Sequence, residues 1–443
     1  MRHKIIKLSL VFVFLSLFIF IAPLFISKPV YADDNPGETT EVTYNDGSNK
    51  YSNYLEKHKN SNYPTDVIDI DITSFSSTDE LELTSNNSLK TKEDSIVSFN
   101  FTVVNEGFYN LYLKYYPTEG NGLTIQRKIK IDNEFLFDEL SLVIFYRYWN
   151  DGEEIRKENG NEIRPIQLEF PEIIETYVQD RTKMYNENYM FYLESGNHTI
   201  TFESVREPME IYELKFTEVQ KVLSYDEVYN KWTNDGLEVV DNCEFIKLQG
   251  ENTLRKSSSS IYATSDTTSK FTENHLNEKN HTYQIRLNLI GGANWNNPGD
   301  FVEWEVNVPK EGLYEISVKY LQDNKADLDS IRALYINGEL QFKESEEIAF
   351  EYTKKFKLKT IGGDNGAYYF HLKEGKNVIR LEATLGKYAN AILNVQNLID
   401  SLSELYRTII VITGVSPDPN VDYQLEAFIP GLVDMLKESN KDI

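Results

Sequence analysis

The feature that most constrains the fold of this chain is an internal repeat of a strand–turn–strand pattern. In the later copy, residues 301–320, apolar residues occupy every second position on both sides of a turn formed by Pro309 and Gly312. Such alternation predicts two β-strands, each with one buried and one exposed face. The alternating apolar residues are Val302, Trp304, Val306 and Val308, then Tyr314, Ile316, Val318 and Tyr320.

The same pattern occurs earlier in the chain at a constant shift. Glu106-Gly107 stands 205 positions before Glu311-Gly312, and the apolar residues around both pairs keep that register. A later hairpin recurs at a shift of 179, from Gly196 to Gly375. A register held over so many positions indicates two copies of one antiparallel β unit. The earlier apolar residues are Val97, Phe99, Phe101 and Val103, then Tyr109, Leu111, Leu113 and Tyr115.

The first copy carries an insertion that the second lacks. Glu134 and Gly196 are 62 positions apart, whereas their counterparts Glu339 and Gly375 are 36 apart. About 26 extra residues therefore lie within 139–184. This stretch contains Tyr146, Tyr148 and Trp149, followed by a hairpin turn, Asn150-Asp151-Gly152.

Helical spacing occurs before each β unit and after the second. Tyr51, Tyr54, Leu55 and His58 share one helix face, and a second short helix begins at a capping box formed by Ser224 and Glu227. After Gly386 the spacing is helical again. Within this tail we expect a short strand at 409–412 and a last helix at 422–438.

These patterns predict a mainly β fold: two tandem antiparallel jelly-roll sandwiches with short linking helices and a helical C-terminal tail. The predicted segments are a signal peptide at 1–32, a flexible lead-in with a short helix at 33–62, module 1 at 63–220, a linker helix at 221–236, module 2 at 237–386, and the tail with its short strand at 387–443. We expect the tail to lead into a further domain.

The first 32 residues have the pattern of a secretory signal peptide. Arg2, Lys4 and Lys7 precede a long apolar run, and the small-residue site Val30-Tyr31-Ala32 precedes two aspartates. An uncleaved membrane anchor is the alternative, because the apolar run is long for a signal core. The only cysteine, Cys243, lies too far along the chain to carry a lipid there. We expect a secreted protein at the extracellular cell surface.

The charge of the chain excludes several classes of partner. The formal net charge is −25, and removal of the signal peptide makes it four units more negative. So acidic a surface repels nucleic acid and anionic lipid. We therefore expect no nucleic-acid partner, and membrane contact only through an uncleaved signal anchor.

The sequence contains no recognisable catalytic motif. Its six histidines include no HExxH pair, and no GxSxG elbow, phosphate-binding loop or dinucleotide fingerprint is present. With 70 acidic residues, some carboxylates will lie at a catalytic separation by chance. The sequence therefore predicts a protein that is not an enzyme.

Aromatic and amide residues in loops are the candidate ligand-binding groups. Sugars stack their C–H faces on aromatic rings and hydrogen-bond to amides through their hydroxyls. The alternative is that these rings pack against a neighbouring domain. Trp304 is expected in the core by its alternation, and Trp232 on a packed helix face. The candidates are Trp295, Asn294 and Asn296 in module 2, and Trp149, Tyr148 and Tyr146 in the insertion.

Part of module 2 resembles carbohydrate-binding modules of families six and thirty-five. The resemblance rests on Trp295, on the run from Asn297 to Trp304, and on the following strand–turn–strand. It implies a galactose-binding-like jelly roll with a glycan site in loops at one end. It also implies a structural calcium ion held in part by Glu251, although the closing aspartate of the family pattern has no clear counterpart here.

A second resemblance covers nearly the whole mature chain. The segments 206–209, 362–366, 406–414 and 417–423 are similar to the N-terminal half of large extracellular solute-binding proteins of Gram-positive bacteria. In those proteins, two such modules precede a domain that delivers sugars to an ABC importer. The resemblance implies an oligosaccharide or polysaccharide as ligand, and an importer or a solute-binding domain as partner.

Together these features predict a non-catalytic, exported carbohydrate-binding protein associated with sugar uptake. The alternative is a pair of protein-docking, spacer or adhesin modules that bind no glycan. Burial of Trp149 and Trp295 between the sandwiches would favour that alternative, whereas open rings beside amides would favour sugar binding.

Overall fold

The computed structural model describes residues 49–152, 157–240, 245–268 and 284–439. The predicted signal peptide and most of the predicted lead-in lie outside these described residues. The described chain is mainly β, its sheets are antiparallel, and a helical tail follows them. The predicted fold class is confirmed.

The first β unit contains sixteen strands, several of them only two or three residues long. They are β1 Ile68–Asp69, β2 Phe75–Ser77, β3 Glu82–Leu83, β4 Leu89–Thr91, β5 Ile96–Val103, β6 Gly107–Pro117, β7 Ile125–Ile131, β8 Val143–Phe145, β9 Trp149–Asp151, β10 Lys157–Glu158, β11 Asn161–Glu162, β12 Gln167–Glu169, β13 Ile174–Tyr177, β14 Met190–Leu193, β15 Gly196–Arg206 and β16 Met209–Glu218.

The second β unit contributes the remaining strands, and the described residues also form five α-helices and four short 3-10 helices, Asp138–Ser141, Gly292–Asn294, Lys343–Glu346 and Gly386–Tyr388. The strands are β17 Arg255–Lys256, β18 Ala263–Thr264, β19 Leu289–Ile290, β20 Phe301–Val308, β21 Gly312–Glu315, β22 Ser317–Tyr320, β23 Ser330–Ile336, β24 Ile348–Phe350, β25 Lys357–Thr360, β26 Gly362–Gly363, β27 Gly366–Ala367, β28 Tyr369–Leu372 and β29 Gly375–Thr384. The helices are α1 Tyr51–Lys57, α2 Tyr225–Asn234, α3 Ala389–Thr413, α4 Leu425–Phe428 and α5 Leu432–Ser439.

Two sheets face each other in the first sandwich. One has the order β13-β6-β16-β4-β3, with β1 also paired to β16 and β14 to β6, and the other has the order β2-β5-β15-β7-β8. The alternation read from the sequence sets which side chains enter the core between them. Tyr109, Leu111, Leu113 and Tyr115 of β6 are all fully buried, as are Phe99 and Phe202 of the facing sheet.

The second sandwich repeats these strands at the predicted shifts. The order β17-β20-β29-β23-β24 of its larger sheet corresponds to β2-β5-β15-β7-β8 in the first sandwich. Strands β21 and β22 of the second sandwich together correspond to the single strand β6 of the first, and β28 corresponds to β14. The internal duplication is therefore confirmed strand by strand over this part of the fold.

Each sandwich has a helix attached through the same tyrosine contact. The Tyr51 hydroxyl accepts a hydrogen bond from the backbone N–H of Met190, at 2.9 Å, and the Tyr225 hydroxyl accepts one from Tyr369, at 3.0 Å. Met190 and Tyr369 begin the equivalent strands β14 and β28. The capping box before α2 is present, since Glu227 accepts hydrogen bonds from the backbone and hydroxyl of Ser224.

The insertion of the first copy extends a sheet of the second. Strands β9 and β12 continue the larger sheet of module 2 beyond β17, which gives the order β12-β9-β17-β20-β29-β23-β24. The joint is the pairing of Trp149 with Lys256. Both copies therefore contribute strands to this one sheet, while the two sheets of the first sandwich remain separate from it. We call the contact region between the sandwiches the seam.

The last strand of the first sandwich has no strand counterpart in the described part of the second. Strand β16 lies between β6 and β4, whereas the equivalent positions after β29 begin helix α3. Leu111 and Leu113, which β16 helps to cover, are fully buried. Their counterparts Ile316 and Val318 are partly exposed.

The C-terminal tail corrects two sequence predictions. The expected strand at 409–412 is wrong, because helix α3 runs without a break from Ala389 to Thr413. Ile409 and Ile412 lie near Leu405 on the helix and pack with α4 and α5, so packing overrides the β propensity of this run. The expected single helix at 422–438 is also wrong, since Pro430 and Gly431 separate α4 from α5. No helix in the described ranges is long and apolar enough to cross a membrane.

Candidate functional site

Tyr146 and Tyr148 of the insertion lie in the seam and are buried. They are 6 % and 5 % exposed, and both rings meet the Phe301 ring edge-on, at centroid distances of 4.8 and 5.9 Å. The Tyr146 hydroxyl donates a hydrogen bond of 2.5 Å to the Gly299 carbonyl of module 2. These two rings therefore join the sandwiches and present no open face.

Trp149 is half-buried at the strand joint. Its backbone pairs with Lys256 of module 2 on one side and with Glu169 on the other. Its ring covers Gly122, whose backbone is left-handed (φ 70°). Trp149 is therefore part of the connection between the sandwiches, although its ring keeps some exposure.

Trp295 is buried at the end of the second core rather than open in its loop. Its indole N–H donates to the Asp300 carbonyl at 2.9 Å, and the Arg332 guanidinium lies 4.7 Å from the ring centre. Trp304 is a core neighbour, as predicted. Of the flanking amides, Asn294 is half-buried and Asn296 is exposed.

These positions match the packing alternative that the sequence left open for the insertion aromatics. A sugar stacks on an aromatic ring only where one ring face is accessible. Tyr146, Tyr148 and Trp295 each have both faces engaged or covered by protein. The loop that follows Trp295 is nevertheless brought against the insertion, at Gly299.

Glu251 is buried, with 7 % of its surface exposed. Among the described residues, no group of three or more Asp, Glu, His or Cys side chains is arranged to hold a metal ion. The structural calcium remains a prediction from the family resemblance.

Buried ion pairs line the module 2 side of the seam. Lys183 of the insertion lies 2.7 Å from Glu382 on β29, and Arg380 lies 2.6 Å from Glu303 on β20. Burial opposes the charge of Arg380, but the nearby Glu303, Tyr148 and Glu382 outweigh it and raise the pKa of this side chain. The corresponding pair on the first sandwich is Ser98 with Thr201, whose hydroxyls share a 2.8 Å hydrogen bond. The sheet face of module 2 that the insertion covers therefore carries an ion pair where the equivalent face of the first sandwich carries two hydroxyl groups.

A cavity of about 420 Å³ opens where the insertion, module 2 and helix α3 meet. Most of its wall is apolar and includes Met184 of the insertion and Ile392 of α3. The polar side chains on the wall are Thr124, Arg181, Thr182 and Asn297. The cavity therefore combines apolar surface with a few hydrogen-bonding groups from three separate parts of the chain.

Arg181 is the charged group of this cavity. Its guanidinium lies over the Tyr146 ring, and its Nε and Nη1 atoms are buried without a hydrogen-bond partner. Burial lowers the pKa of Arg181, while the charges of Glu382 and Asp300 act in the opposite direction. The Arg181 carbonyl also approaches Gly299 so closely that a Cβ there would collide with it. Glycine is thus required at position 299 for two reasons. Its backbone is left-handed (φ 80°), and the Arg181 carbonyl leaves no room for a side chain.

The sequence reasoning did not identify Arg181, Thr182, Met184 or Ile392. The first three lie within the predicted insertion, whose aromatic residues have the chemistry expected for stacking on a sugar. Ile392 lies in a tail that sequence spacing could not place against the sandwiches. The available signal was the position of Arg181 beside Asp180 and Lys183, which is too weak to indicate a cavity because charged residues are frequent throughout the insertion.

Comparison with known proteins gives structural likenesses only. No protein-family model matches the chain, and no curated protein matches it. Similar solved structures include a family 35 carbohydrate-binding module from Clostridium thermocellum, at 12 % identity over 35 % of this chain and 100 % of that one, with a TM-score of 0.21. A C-terminal family 6 module of a marine laminarinase from Zobellia galactanivorans has 10 % identity over 34 % of this chain and 100 % of that one, with a TM-score of 0.20. A family 22 xylan-binding domain from Paenibacillus barcinonensis has 11 % identity over 36 % of this chain and 99 % of that one, with a TM-score of 0.20.

Proposed function

We propose that this chain is a non-catalytic glycan-binding protein whose binding site is the cavity at the seam. The observation that carries the proposal is the cavity itself, with a volume of about 420 Å³ and a mixed apolar and polar wall. Small-molecule sites in proteins have volumes of about 300–1,000 Å³ and combine mostly apolar walls with a few polar groups. The site is thus an open cavity of a size to accept a sugar unit at the end or side of a glycan.

The chemistry of the wall suits a sugar. Met184, Ile392 and their apolar neighbours offer surface to C–H faces. The Thr124 hydroxyl accepts a hydrogen bond from Arg206, the Thr182 hydroxyl donates to Asp180, and the Asn297 amide donates to Asp300, so sugar hydroxyls would use the remaining lone pairs of these oxygens and the second Asn297 N–H. Asn297 begins the run that resembles carbohydrate-binding modules of families six and thirty-five. The resemblance and the cavity therefore point to the same loop.

The wall of the cavity supports binding rather than hydrolysis. Glycoside hydrolysis ordinarily uses two carboxylic acids that face each other across the bond to be cleaved. Among the described residues, the side chains that line this cavity are threonines, an asparagine, an arginine and apolar residues, without a carboxylate. We accordingly propose a binding role without catalysis.

The cellular role that we propose is export and the presentation of glycan near a sugar-uptake system. Its support is the resemblance of segments 206–209, 362–366 and 406–423 to extracellular solute-binding proteins. Residues 206–209 have a clear structural purpose here, because buried Glu207, with a left-handed backbone, pairs with Arg147 at 2.9 Å. Sequencing the N-terminus of the protein recovered from culture medium would test export, since we expect it to begin after Ala32.

A pair of matched helix variants tests the proposed site. Ile392 and Ile399 lie on the same helix and are 40 % and 42 % exposed, but only Ile392 lines the cavity. We expect Ile392→Trp to fill the cavity and to weaken glycan binding by about tenfold or more, as expected for a group that occupies the ligand's place. Ile399→Trp should leave binding unchanged. Calorimetric titration with a panel of plant and cell-wall oligosaccharides would measure both.

The result of this titration distinguishes glycan binding from a second candidate function, in which the two sandwiches form a rigid spacer or dock another protein. That candidate is favoured by the burial of Tyr146 and Tyr148 against Phe301, because such contacts fix one module relative to the other. If Ile392→Trp and Ile399→Trp both retain glycan binding, the binding site does not lie in the cavity. A folded protein that binds none of a broad panel would favour the spacer.

A further inference from the structure

Strand β22 of the second sandwich has one edge that no described strand covers. On its other side it pairs with β25, as β21 pairs with β28. The corresponding strand of the first sandwich, β6, is paired on both sides, with β13 and β14 on one and with β16 on the other. Helix α3 stands at the positions equivalent to β16, so among the described residues this edge of β22 has no strand partner.

The hydrogen-bonding groups of this edge belong to alternate residues. The Ile316 carbonyl accepts a hydrogen bond of 2.9 Å from Ile361 on the β25 side, whereas the backbone of Leu313 bonds to residues 238 and 240 on the opposite side. Backbone groups of successive residues point to opposite sides of a strand. Those of residues 315, 317 and 319 therefore point to the uncovered edge, where another strand could pair with them. We call residues 315–319 the open edge.

The open edge is self-complementary when two copies meet in the antiparallel direction. With Ser317 opposite the same residue of a second copy, Glu315 lies opposite Lys319, and Ile316 lies opposite Val318. The three polar side chains are exposed on one face, and the two apolar ones are half-buried on the other. Opposite charges that face each other across two strands stabilise the pairing, and so do apolar pairs. This register provides both kinds of pair and sets no like charges opposite each other.

The first sandwich contains the same charge pairing within one chain. Lys114 of β6 stands 205 positions before Lys319 and has the equivalent place on its strand. Opposite Lys114, on the antiparallel strand β16, lies Glu213. When two open edges pair, Glu315 of the other copy takes the place that Glu213 has in the first sandwich.

We propose that two copies of the chain form a dimer by pairing their open edges antiparallel about a twofold axis at Ser317. The contact is isologous, because each copy contributes the same residues. A strand of a different protein is the alternative occupant, but the equal spacing of Glu315 and Lys319 on either side of Ser317 favours a second copy. The open edge is short, and a formal net charge of −25 on each chain opposes association. We therefore expect a dimer that dissociates on dilution, with half of the chains paired at about 10–100 µM.

Exchanging the charges of the open edge tests the dimer. Sedimentation velocity of the full chain at about 2, 20 and 200 µM, a range that brackets the expected affinity, would measure the fraction of dimer. We expect Lys319→Glu, and separately Glu315→Lys, to weaken self-association by about tenfold or more, because each sets two pairs of like charges opposite each other. The double variant Glu315→Lys/Lys319→Glu restores opposite charges and should restore the dimer. An equimolar mixture of the two single variants should form a mixed dimer.

A matched control and a local measurement accompany these variants. Lys376→Glu makes the same change of net charge as Lys319→Glu, at a side chain of β29 that is 74 % exposed, and should leave dimerisation unchanged. Both substituted side chains of the open edge are exposed, so the variants should fold. Amide hydrogen exchange at Ser317 and Lys319 should slow as the protein concentration rises, because these N–H groups become bonded in the dimer.

Two results would count against the pairing. Monomers at every concentration would overturn the dimer and leave the open edge to a strand of a different protein. A dimer that folded Lys319→Glu retains, or that the double variant fails to restore, would overturn the contact at Ser317. Neither result bears on glycan binding, because residues 315–319 are not among the described residues that line the cavity.

Discussion

Lys183 and Glu382 form an ion pair across the seam with almost no exposure to water. Each side chain is 2 % exposed, and their charged atoms are 2.7 Å apart. Such a pair contributes little net stability compared with a well-packed apolar pair, but an isolated charge left in its place is costly. If the two sandwiches were misplaced relative to each other, one of these charges would be left buried without its partner. The free-energy cost of that misplacement is larger than the small net contribution of the intact pair.

Removing one member of this pair should destabilise the protein strongly. We expect Lys183→Met to lower the free energy of unfolding by about 3 kcal/mol, because it leaves the Glu382 carboxylate buried without its close partner and with Arg380 at 3.9 Å. The double variant Lys183→Met/Glu382→Gln should lose less than the sum of the single losses. Urea denaturation measures both. Lys376→Met, which removes an exposed pair with Glu305, should have little effect, and equal losses at both sites would contradict this account.

Lys256 gives the seam a pH dependence with a definite sign. The side chain is fully buried, and burial lowers its pKa despite the carboxylate of Asp151 at 2.6 Å; the nearby Arg164 adds to the lowering. A lysine with a lowered pKa in the folded state binds protons less readily than in the unfolded chain. Stability should therefore rise with pH between the folded pKa and the ordinary lysine value near 10.5.

The matched variant Lys256→Met isolates this effect. The quantity to follow is the difference in free energy of unfolding, unmodified protein minus variant. This difference should increase as the pH rises toward about 10.5 and should not change with pH near neutrality. Subtraction removes the contribution of the many tyrosines, which titrate in both proteins. A difference that falls with rising pH would show that Asp151 outweighs the burial of Lys256.

At the residue level, the sequence predicted burial better than it predicted binding. Alternation placed Trp304 in the core, where it lies. It could not place Tyr146 and Tyr148, because alternation shows which face of a strand is apolar and does not show which other part of the chain covers that face. Arg181 carries no local signal either, since its lack of a partner exists only after the insertion folds against module 2.

The helix before each sandwich is attached by a tyrosine hydroxyl, and this joint is repeated in both copies. Tyr51 accepts from Met190, and Tyr225 accepts from Tyr369 at the equivalent position. In each case the partner is the first residue of a strand, β14 or β28, that pairs with β6 or with its counterpart β21. The acceptor satisfies a backbone N–H at the strand end that has no strand partner on that side.

Phenylalanine at either position should weaken the joint by a similar amount. We expect Tyr51→Phe and Tyr225→Phe each to reduce the free energy of unfolding by about 1 kcal/mol, because an N–H group loses its acceptor while the ring remains. Tyr63→Phe is the control, since Tyr63 is 56 % exposed and should tolerate the change. Hydrogen exchange at the amides of Met190 and Tyr369 would locate the effect. Unchanged exchange at both would mean that the hydroxyls are not the acceptors in solution.

At the element level, the repeat predicted the strands because both copies keep one register. The tail was harder to predict. Ile409 to Ile412 is a run of β-branched residues, which favours a strand locally, yet the contacts of Leu405 and Ile409 with Ile429 and Leu432 favour the helix. Propensity was the only information available from the sequence at that point, and tertiary packing decided otherwise.

The whole described molecule is held together by a sheet that both copies build. Strands β9 and β12 belong to the first copy by sequence and to the larger sheet of the second by hydrogen bonding. The sequence showed that an insertion existed and approximately where. It could not show the destination of the insertion, because pairing between distant strands leaves no periodic trace.

Separating the two copies should therefore have unequal effects. We expect residues 49–222 to retain a cooperative thermal transition, because both sheets of the first sandwich are complete without the second copy. Residues 223–439 should have a transition at least about 10 °C lower, or none, because they lose β9, β12 and the cover over Phe301. Circular dichroism and limited proteolysis would measure this. Equal stability of the two fragments would contradict a dependence of the second copy on the first.

The helix that stands where the second copy would otherwise have its last strand has an evolutionary consequence. Duplicated modules usually stay interchangeable, so that recombination can add, remove or reorder them along a gene. Here the described part of the later module has helix α3 at the positions equivalent to β16, and its larger sheet includes edge strands from its neighbour. Neither a third copy nor a reversed order would supply the parts that each position now requires. We therefore expect the pair to be inherited as one indivisible unit, and descendants to diversify within the seam rather than by changing the number of modules.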